Sequence, residues 1–406
     1  PLITIVIFSF TSAHDKYQKL ENTQYVINAL SIVSIFDDLT YGLQRERDLT
    51  AGLEPLNKSN TQSSHFDELI RRQFKINDEL ITRARKRIQS LPDFLSPKLQ
   101  VKWEQISSQL SKIPTLRTNS SSHTDYDSFN QYSQIMLKII NFIEHTQNII
   151  EDSELSNLSS SFINLQWIIE HASLERGELN KVLSSGKIRS ILSNITGQRA
   201  ALRRFSNLAS DKHLALVNSQ LNNQDYQKFN SYRDFIFSKA INESSQKTNQ
   251  PLKTPSQFLS EIWWLDASKR IEALHNISKK LIDDMFFRSY TIFKDAQTIL
   301  YTHSLLALIT IIICTFLGLK IRSRLVGEIG YIAKTMRDNS NPESSNILLR
   351  EQGNDEISGM AKAYNHLIHQ RSNNENTLRL AAQVFKDAHE GILITDLNSS
   401  IVDVNP

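Results

Sequence analysis

The sequence has few of the residues that break or cross-link a chain. Glycine occurs 11 times and proline 9 times in 406 residues, and both disfavour helix interiors. Cys314 is the single cysteine, so the chain can form neither an internal disulfide nor a cysteine-based zinc site. These low counts favour long helices held together by packing.

Excess charge of one sign is also missing. The net charge of +3 is too small to indicate a nucleic-acid partner. The 11 histidines show no metal-ligand spacing, and no Gly-rich phosphate loop or nucleophile elbow occurs. We therefore expect these residues to hold no cofactor and to be non-enzymatic, although an enzyme could follow them.

Two uncharged stretches indicate a membrane protein. One is at residues 1–12, and the other extends from Ala296 to Leu319. The second exceeds the roughly 20 residues that a membrane-spanning helix needs, and it is followed by Lys320 and Arg322, which mark the cytoplasmic side. We predict a membrane protein in which residues 13–295 lie outside the cytoplasm and the remainder lies inside.

The predicted segments follow from these stretches. Both ends are expected to be cut, because the chain starts inside an apolar run and stops within a β-like pattern. The segments are a truncated first transmembrane helix at 1–12, an extracytoplasmic region at 13–295, a transmembrane helix at 298–319 and cytoplasmic segments at 320–372 and 378–406.

The extracytoplasmic region at 13–295 is predicted to be all-α. Polar and proline-containing loops, one of them from Pro114 to Thr124, separate the helical patterns, and Thr254 with Pro255 indicates a helix start. The eight patterns suggest two four-helix bundles, at about 16–153 and 155–295. The helices are predicted at about 16–54, 63–91, 96–112, 125–153, around 162–183, 186–209, 213–241 and from 254 onward.

The fifth helix carries one charge in an apolar seam. Its apolar residues alternate three and four apart, and the same spacing reaches Arg176, whose guanidinium keeps its charge and needs a partner. That partner is either a carboxylate such as Glu46, Glu175 or Glu178, or an anion from outside. The seam residues are Phe162, Leu165, Ile169, Ala172, Leu179 and Leu183.

The first helix repeats this arrangement. A shift of 129 residues superposes Glu46 on Glu175 and Arg47 on Arg176, which we derive from the numbering of the sequence. Two other arginines, Arg199 and Arg270, also continue apolar series on their helices. The predicted ligand-binding residues are Arg47, Arg176, Arg45 at the rim, Arg199 and Arg270.

Three motifs resemble the NIT (nitrate- and nitrite-sensing) domain family over about 30–300. They are Gln44-Arg45-Glu46-Arg47, Glu175-Arg176-Gly177, and Trp263-Trp264 followed by Arg270-Ile271; Asp48 stands where the family commonly has Gly. The resemblance implies a receptor in a bacterial inner membrane, whose sensor at 13–295 binds nitrate or nitrite in the periplasm. The open alternatives are another small anion, or a structural dimerisation module whose arginines only form ion pairs.

The cytoplasmic segments resemble signalling modules. Asn354-Asp355-Glu356-Ile357 and Ala361–Asn365 resemble a HAMP linker, here 320–372. Residues 378–406, with a predicted hairpin turning near Asn398, resemble the start of a PAS domain. The resemblance implies a homodimer with a cytoplasmic output, such as a diguanylate cyclase, a phosphodiesterase or a histidine kinase.

Overall fold

The computed structural model describes residues 2–53, 64–91, 96–119, 126–185, 191–245, 257–340, 347–398 and 400–406. Nearly all of these residues are helical, which confirms the all-α prediction for the sensor. The elements are α1 (Leu2–Leu53), α2 (Ser64–Gln89), α3 (Pro97–Leu110), α4 (Ile113–Asn119), α5 (Tyr126–Thr146), a 3₁₀ turn (Gln147–Ile149), α6 (Ser153–Ser185), α7 (Ile191–Leu208), α8 (Asp211–Leu221), α9 (Gln224–Ser245), α10 (Gln257–Asp338), α11 (Glu356–Asp387), β1 (Leu393–Thr395) and β2 (Ile401–Val404).

The chain divides into two compact units. One comprises Thr11–His303, and the other Pro1–Phe10 with Ser304–Pro406. By length and composition, α1 and α10 each contain a stretch that could cross a membrane. The apolar window of α10 has a mean hydropathy of 2.3, and none of it is buried. The corresponding window of α1 is 61% buried. A membrane location is compatible with these helices.

Three predicted boundaries were wrong. The helix predicted at about 125–153 ends at Thr146 and is followed by the 3₁₀ turn. The loop predicted from Pro114 is helical as far as Asn119, since proline is tolerated in the first turn of a helix. The predicted seventh helix is divided into α8 and α9, because Asn223 Oδ1 accepts a hydrogen bond from Tyr226 N and caps α9. Residues 120–125, and the predicted cap at Thr254 and Pro255, lie outside the described residues.

The predicted seam of α6 is confirmed from Phe162 to Leu179, all of whose apolar members are buried; the side chain of Leu183 lies outside the described part. Phe162, Leu165, Ile169 and Ala172 join one continuous core that extends through α1, α2, α3, α5 and α10. Within it the ring of Phe36 stacks on Trp103 at 6.0 Å and meets the edge of Phe142 at 5.3 Å. Apolar burial of this extent is the main force that holds such helices together.

Helices α1 and α6 are parallel and in register. Side-chain hydrogen bonds join Gln166 to Asp37 at 2.6 Å and Gln44 to Glu170 at 2.8 Å, with sequence separations of 129 and 126. A nearly constant separation along two helices means that they run in the same direction. The two halves of the repeat therefore lie side by side.

Helix α10 runs antiparallel to this pair. Ser278 donates to Asp37 of α1 at 2.9 Å and accepts from Gln166 of α6 at 2.8 Å. Further along α6, Arg176 donates to Ser268 of α10 at 3.1 Å. The residue number of the contacting partner on α10 falls as the residue number on α6 rises, so α10 is antiparallel to α6. Through Ser278 it contacts both α1 and α6.

The second unit contains a small core of its own. Ile332, Leu349 and Ala361 are buried together, and Asn365 holds the segment before α11 by exchanging two hydrogen bonds with the backbone of Leu349. Strands β1 and β2 are antiparallel, with Leu393 opposite Val404. The predicted hairpin is confirmed, except that Ser399 of its turn lies outside the described residues.

Candidate functional site

The two arginines related by the repeat are buried together between α1 and α6. Arg47 and Arg176 are each 1% exposed. Because the two helices are parallel and in register, the repeat brings the guanidinium groups to one level of the core. Two positive charges in a region shielded from water require negative groups close by.

Arg47 is fully paired with groups of its own chain. Its Nε donates to Asp48 Oδ1 at 2.8 Å, and its Nη1 donates to Glu170 Oε1 at 2.7 Å and to Ser133 Oγ at 3.0 Å. Its Nη2 donates to Ser173 Oγ at 2.9 Å. Burial alone would lower the pKa of Arg47, but Glu170 and Asp48 outweigh it and raise that pKa.

Arg176 is less completely paired. Its Nε donates to Asp48 Oδ2 at 2.9 Å and its Nη1 to Ser268 Oγ at 3.1 Å, while Trp264 lies against its face at 4.6 Å. Nη2 lies 2.9 Å from Asp48 Oδ2, yet among the described residues its N–H groups make no hydrogen bond. Burial lowers the pKa of Arg176, and Asp48 compensates only in part.

Glu46 forms its hydrogen bonds with residues other than Arg47 and Arg176. It accepts hydrogen bonds from Arg117 Nε at 2.8 Å, from Asn77 Nδ2 at 2.6 Å and from the Tyr132 hydroxyl at 2.5 Å. These partners lie on α4, α2 and α5. Of the structural ion-pair partners that the sequence suggested for Arg47 and Arg176, Glu46 is therefore not one.

Glu175 and Glu178 also face other groups. Glu175 accepts a hydrogen bond from Gln198 at 2.6 Å and lies 3.7 Å from Arg270 and 3.8 Å from Arg233. Glu178 accepts from Asn194 of α7 at 3.0 Å. The carboxylates that pair with Arg47 and Arg176 are instead Asp48 and Glu170, which sequence reasoning missed.

The remaining predicted ligand residues lie at different places. Arg45 is half-buried and Arg199 is exposed, so the placement of Arg199 in the seam of its helix was wrong. On α7 the buried face carries Gln198 instead. Arg270 donates to Gln198 at 2.7 Å and belongs to the group around Glu175.

The absence of a side chain at Gly177 leaves room for the Asp48 carboxylate. A Cβ at position 177 would come within 2.8 Å of both Asp48 Oδ1 and Phe129 Cε2. The repeat places positions 48 and 177 in register, and only one of them carries a side chain. The repeat thus aligns a charged residue with a glycine, and this pairing could have identified Asp48 from the sequence.

A second ionic cluster lies further along α1 and α10. His275 Nδ1 is 3.4 Å from Asp37 and His275 Nε2 is 3.5 Å from Asp38, which also contacts Lys279 at 3.0 Å. Three such groups could hold a metal ion, but the two carboxylates raise the pKa of His275 to about 9 against the effect of burial. With its imidazolium and Lys279 supplying positive charge, the cluster is balanced as an ion-pair group.

Comparison with known proteins gives the following. The family model described as nitrate and nitrite sensing matches residues 38–285. The structure is similar to one described as the NasR transcription antiterminator, with a TM-score of 0.60 and 16% identity over 93% of this chain and 99% of that chain. At this identity the likeness shows the fold alone. No curated protein matches the chain.

Proposed function

The chain belongs to the NIT family of nitrate- and nitrite-sensing domains, and from this premise we propose that its anion binds between α1 and α6, beside Arg47 and Arg176. The family match covers both arginines. It fixes nitrate and nitrite sensing as the general function, and the position of the site is our proposal.

The observation that carries the proposal is the unused donor group of Arg176. Its Nη2 is buried and makes no hydrogen bond among the described residues. A buried donor without an acceptor is destabilising by about 1–3 kcal/mol, and burial also lowers the pKa of this guanidinium. An anion would supply a well-directed acceptor for Nη2, which Asp48 Oδ2 at 2.9 Å does not provide.

Nitrate suits this place chemically. It is planar and spreads its charge over three oxygens, so a guanidinium can meet it edge-on with parallel hydrogen bonds. The oxygens of nitrite offer a similar pair of acceptors. Nη1 of Arg176 lies 3.1 Å from Ser268 Oγ, and the guanidinium lies against the face of Trp264. An anion at this place would thus meet one positive, one polar and one aromatic group.

We further propose that α10 relays binding to the cytoplasm. Ser268, which contacts Arg176, lies on the same uninterrupted helix as the apolar stretch and the charged segment after it. At about 1.5 Å per residue, α10 extends roughly 40 Å from Ser268 to Ala296. Displacements of roughly 1–2 Å are typical of helix relays, and the HAMP-like helices of a homodimer would repack in response.

The proposed setting is an inner membrane, with the sensor periplasmic and the HAMP-like and PAS-like segments cytoplasmic. The proposed output is cyclic-di-GMP turnover or histidine-kinase activity. The support for this setting is the basic cluster after the apolar stretch together with the sequence resemblance at 320–406.

A structural role is the second candidate. Asp48 and Glu170 already pair with the arginines at 2.7–2.9 Å. In that case the ion pairs hold α1 against α6, and no anion stabilises the protein. Another small anion, such as a carboxylate, would instead give stabilisation without preference for nitrate.

The test measures binding and melting of the full chain in detergent micelles. Nitrate, nitrite, chloride and formate are titrated by calorimetry, and the melting temperature is followed with each anion. We expect a heat of binding and a higher melting temperature with nitrate or nitrite. A ligand that binds only the folded state stabilises it by about 2.7 kcal/mol when the free ligand concentration is about 100 times its Kd. Absence of any nitrate or nitrite effect on the wild type and on all variants would refute the proposed function.

Two variants locate the site. Arg176→Lys keeps a positive charge but loses the planar fork, so nitrate should bind more weakly while the protein still folds. Arg203→Ala is the matched control, since Arg203 is an exposed arginine on α7. Equal loss of binding in both variants would place the anion away from Arg176.

A further inference from the structure

Asp48 occupies the position that a bridging anion would take. Its Oδ1 accepts from Arg47 Nε at 2.8 Å, and its Oδ2 accepts from Arg176 Nε at 2.9 Å and from Ser173 Oγ at 2.7 Å. The side chain is 0% exposed. A planar carboxylate held between two guanidinium groups resembles a small oxyanion already bound to them.

We propose that Asp48 is an internal competitor, and that nitrate or a similar planar oxyanion bridges Arg47 and Arg176 only by displacing its carboxylate. The inference rests on the proposed function, because it assumes that an anion enters this site. It adds the residue that sets the affinity of the site.

The hydrogen bonds of the two arginines support displacement. In Arg47, Nη1 is used by Glu170 and Nη2 by Ser173, and Nε is used by Asp48. In Arg176, Nη2 alone makes no hydrogen bond among the described residues. An incoming anion can thus meet Arg176 first, but it reaches the Nε groups of both arginines only where Asp48 now lies.

Charge balance points the same way. The positive charges of Arg47 and Arg176 are matched by Asp48 and Glu170, and all four side chains are at most 2% exposed. An anion added to this group would leave one negative charge in excess in a region shielded from water, which is strongly unfavourable. When the anion replaces the Asp48 carboxylate, the balance is kept.

Displacement of the Asp48 carboxylate also connects anion binding to the relative position of α1 and α6. Asp48 lies on α1 and packs against Gly177 of α6, with Asp48 Oδ1 at 2.8 Å from where a Cβ of residue 177 would be. With so little space, the carboxylate can leave Arg176 only if its side chain turns away or α1 shifts relative to α6. A ligand that favours one of these arrangements shifts the equilibrium towards it.

The first experiment compares nitrate binding to the full chain in detergent micelles for wild type, Asp48→Asn and Glu170→Gln. The Asp48→Asn substitution keeps the shape of the side chain but removes the competing charge, so we expect Kd to fall on the order of tenfold, or about 1.4 kcal/mol. Glu170→Gln removes an equally buried charge that contacts Arg47 but not Arg176, and should give a smaller gain. An unchanged or higher Kd in Asp48→Asn, or an equal gain in Glu170→Gln, would overturn the inference.

The second experiment uses formate, a detached carboxylate, as a probe that does not depend on nitrate. Asp48→Gly opens a carboxylate-sized space beside both arginines, so formate should raise the melting temperature of this variant and leave the wild type unchanged. Arg203→Ala is the surface control.

The two experiments separate the failure of each idea. Stabilisation of Asp48→Gly by formate, with no nitrate binding to any variant, would refute nitrate sensing at this site but keep Asp48 as the occupant of an anion position. Nitrate binding to the wild type without tightening in Asp48→Asn would refute the competitor and keep the site. No formate effect and no nitrate effect would refute both.

Discussion

Replacement of His275 by Gln should remove a pH-dependent part of the stability that joins α1 to α10. The imidazole lies between Asp37 and Asp38 at 3.4 and 3.5 Å and stacks on the ring of Tyr41 at 4.2 Å. It is 4% exposed. The other charged group facing it is Lys279, on its own helix, which opposes protonation.

The expected size follows from the pKa of His275, which is raised to about 9 from its ordinary value of 6.5. At about 1.36 kcal/mol per pKa unit, the charged imidazole stabilises the fold by about 3 kcal/mol. Because the folded pKa is the higher one, this stabilisation is fully present below about pH 6.5 and is lost as the pH rises through about 9.

The assay is thermal or denaturant unfolding of the full chain in micelles at a series of pH values. The difference between wild type and His275→Gln should be largest near pH 6 and should shrink to a constant offset above about pH 9. The offset reflects the lost stacking on Tyr41. A wild type and a variant with parallel pH profiles would refute the reasoning.

His213 is the matched control for this experiment. Burial lowers the pKa of His213, although it lies 3.0 Å from Asp284. Its contribution is present above about pH 6.5 and is lost as the pH falls through the lowered pKa, which is the opposite direction. His213→Gln should therefore change the acid side of the profile and leave the alkaline side unchanged.

Three further predictions concern packing and hydrogen bonding. Tyr132→Phe removes a 2.5 Å donor to the buried Glu46 and should cost about 1–3 kcal/mol of stability; an unchanged melting temperature would contradict this. Phe205→Ala truncates a ring that is 0% exposed and should cost about 3–5 kcal/mol by denaturant unfolding, against a small effect for Leu208→Ala on the surface of the same helix. Asn365→Ala breaks both bonds to Leu349, so amide exchange should speed up at residues 347–351 while nitrate binding to the sensor stays unchanged; protection equal to wild type would count against it.

The sequence predicted the long helices well because their burial pattern is apolar and regular. The seam from Phe162 to Leu179 and the hairpin near Asn398 follow directly from periods of 3.6 and 2. The repeat identified Arg47 and Arg176 as equivalent, and the structure places them at one level of the core. Features of this kind depend on residues close together in the sequence, or on a repeat that the sequence itself displays.

Helix faces that bury polar groups were harder to predict. On α7 the apolar series containing Arg199 suggested one face, but the buried face carries Gln198, because its amide bonds to Glu175 and Arg270. Apolar periodicity cannot detect a face that is turned inward by hydrogen bonds to buried charges. Glu170 was missed for the same reason, since it reaches Arg47 across helices that only the fold brings together. Asp48, in contrast, adjoins Arg47 in the sequence and is aligned with Gly177 by the repeat.

The contact of Gly177 with Asp48 has a consequence for stoichiometry. Two helices of equivalent build could form a symmetric site with one anion on each arginine. The crowding at position 177 allows a side chain on one helix alone, so the two arginines are inequivalent. Each guanidinium nitrogen of Arg47 donates a hydrogen bond, while Nη2 of Arg176 makes none among the described residues. A site built in this way should take up one anion per chain.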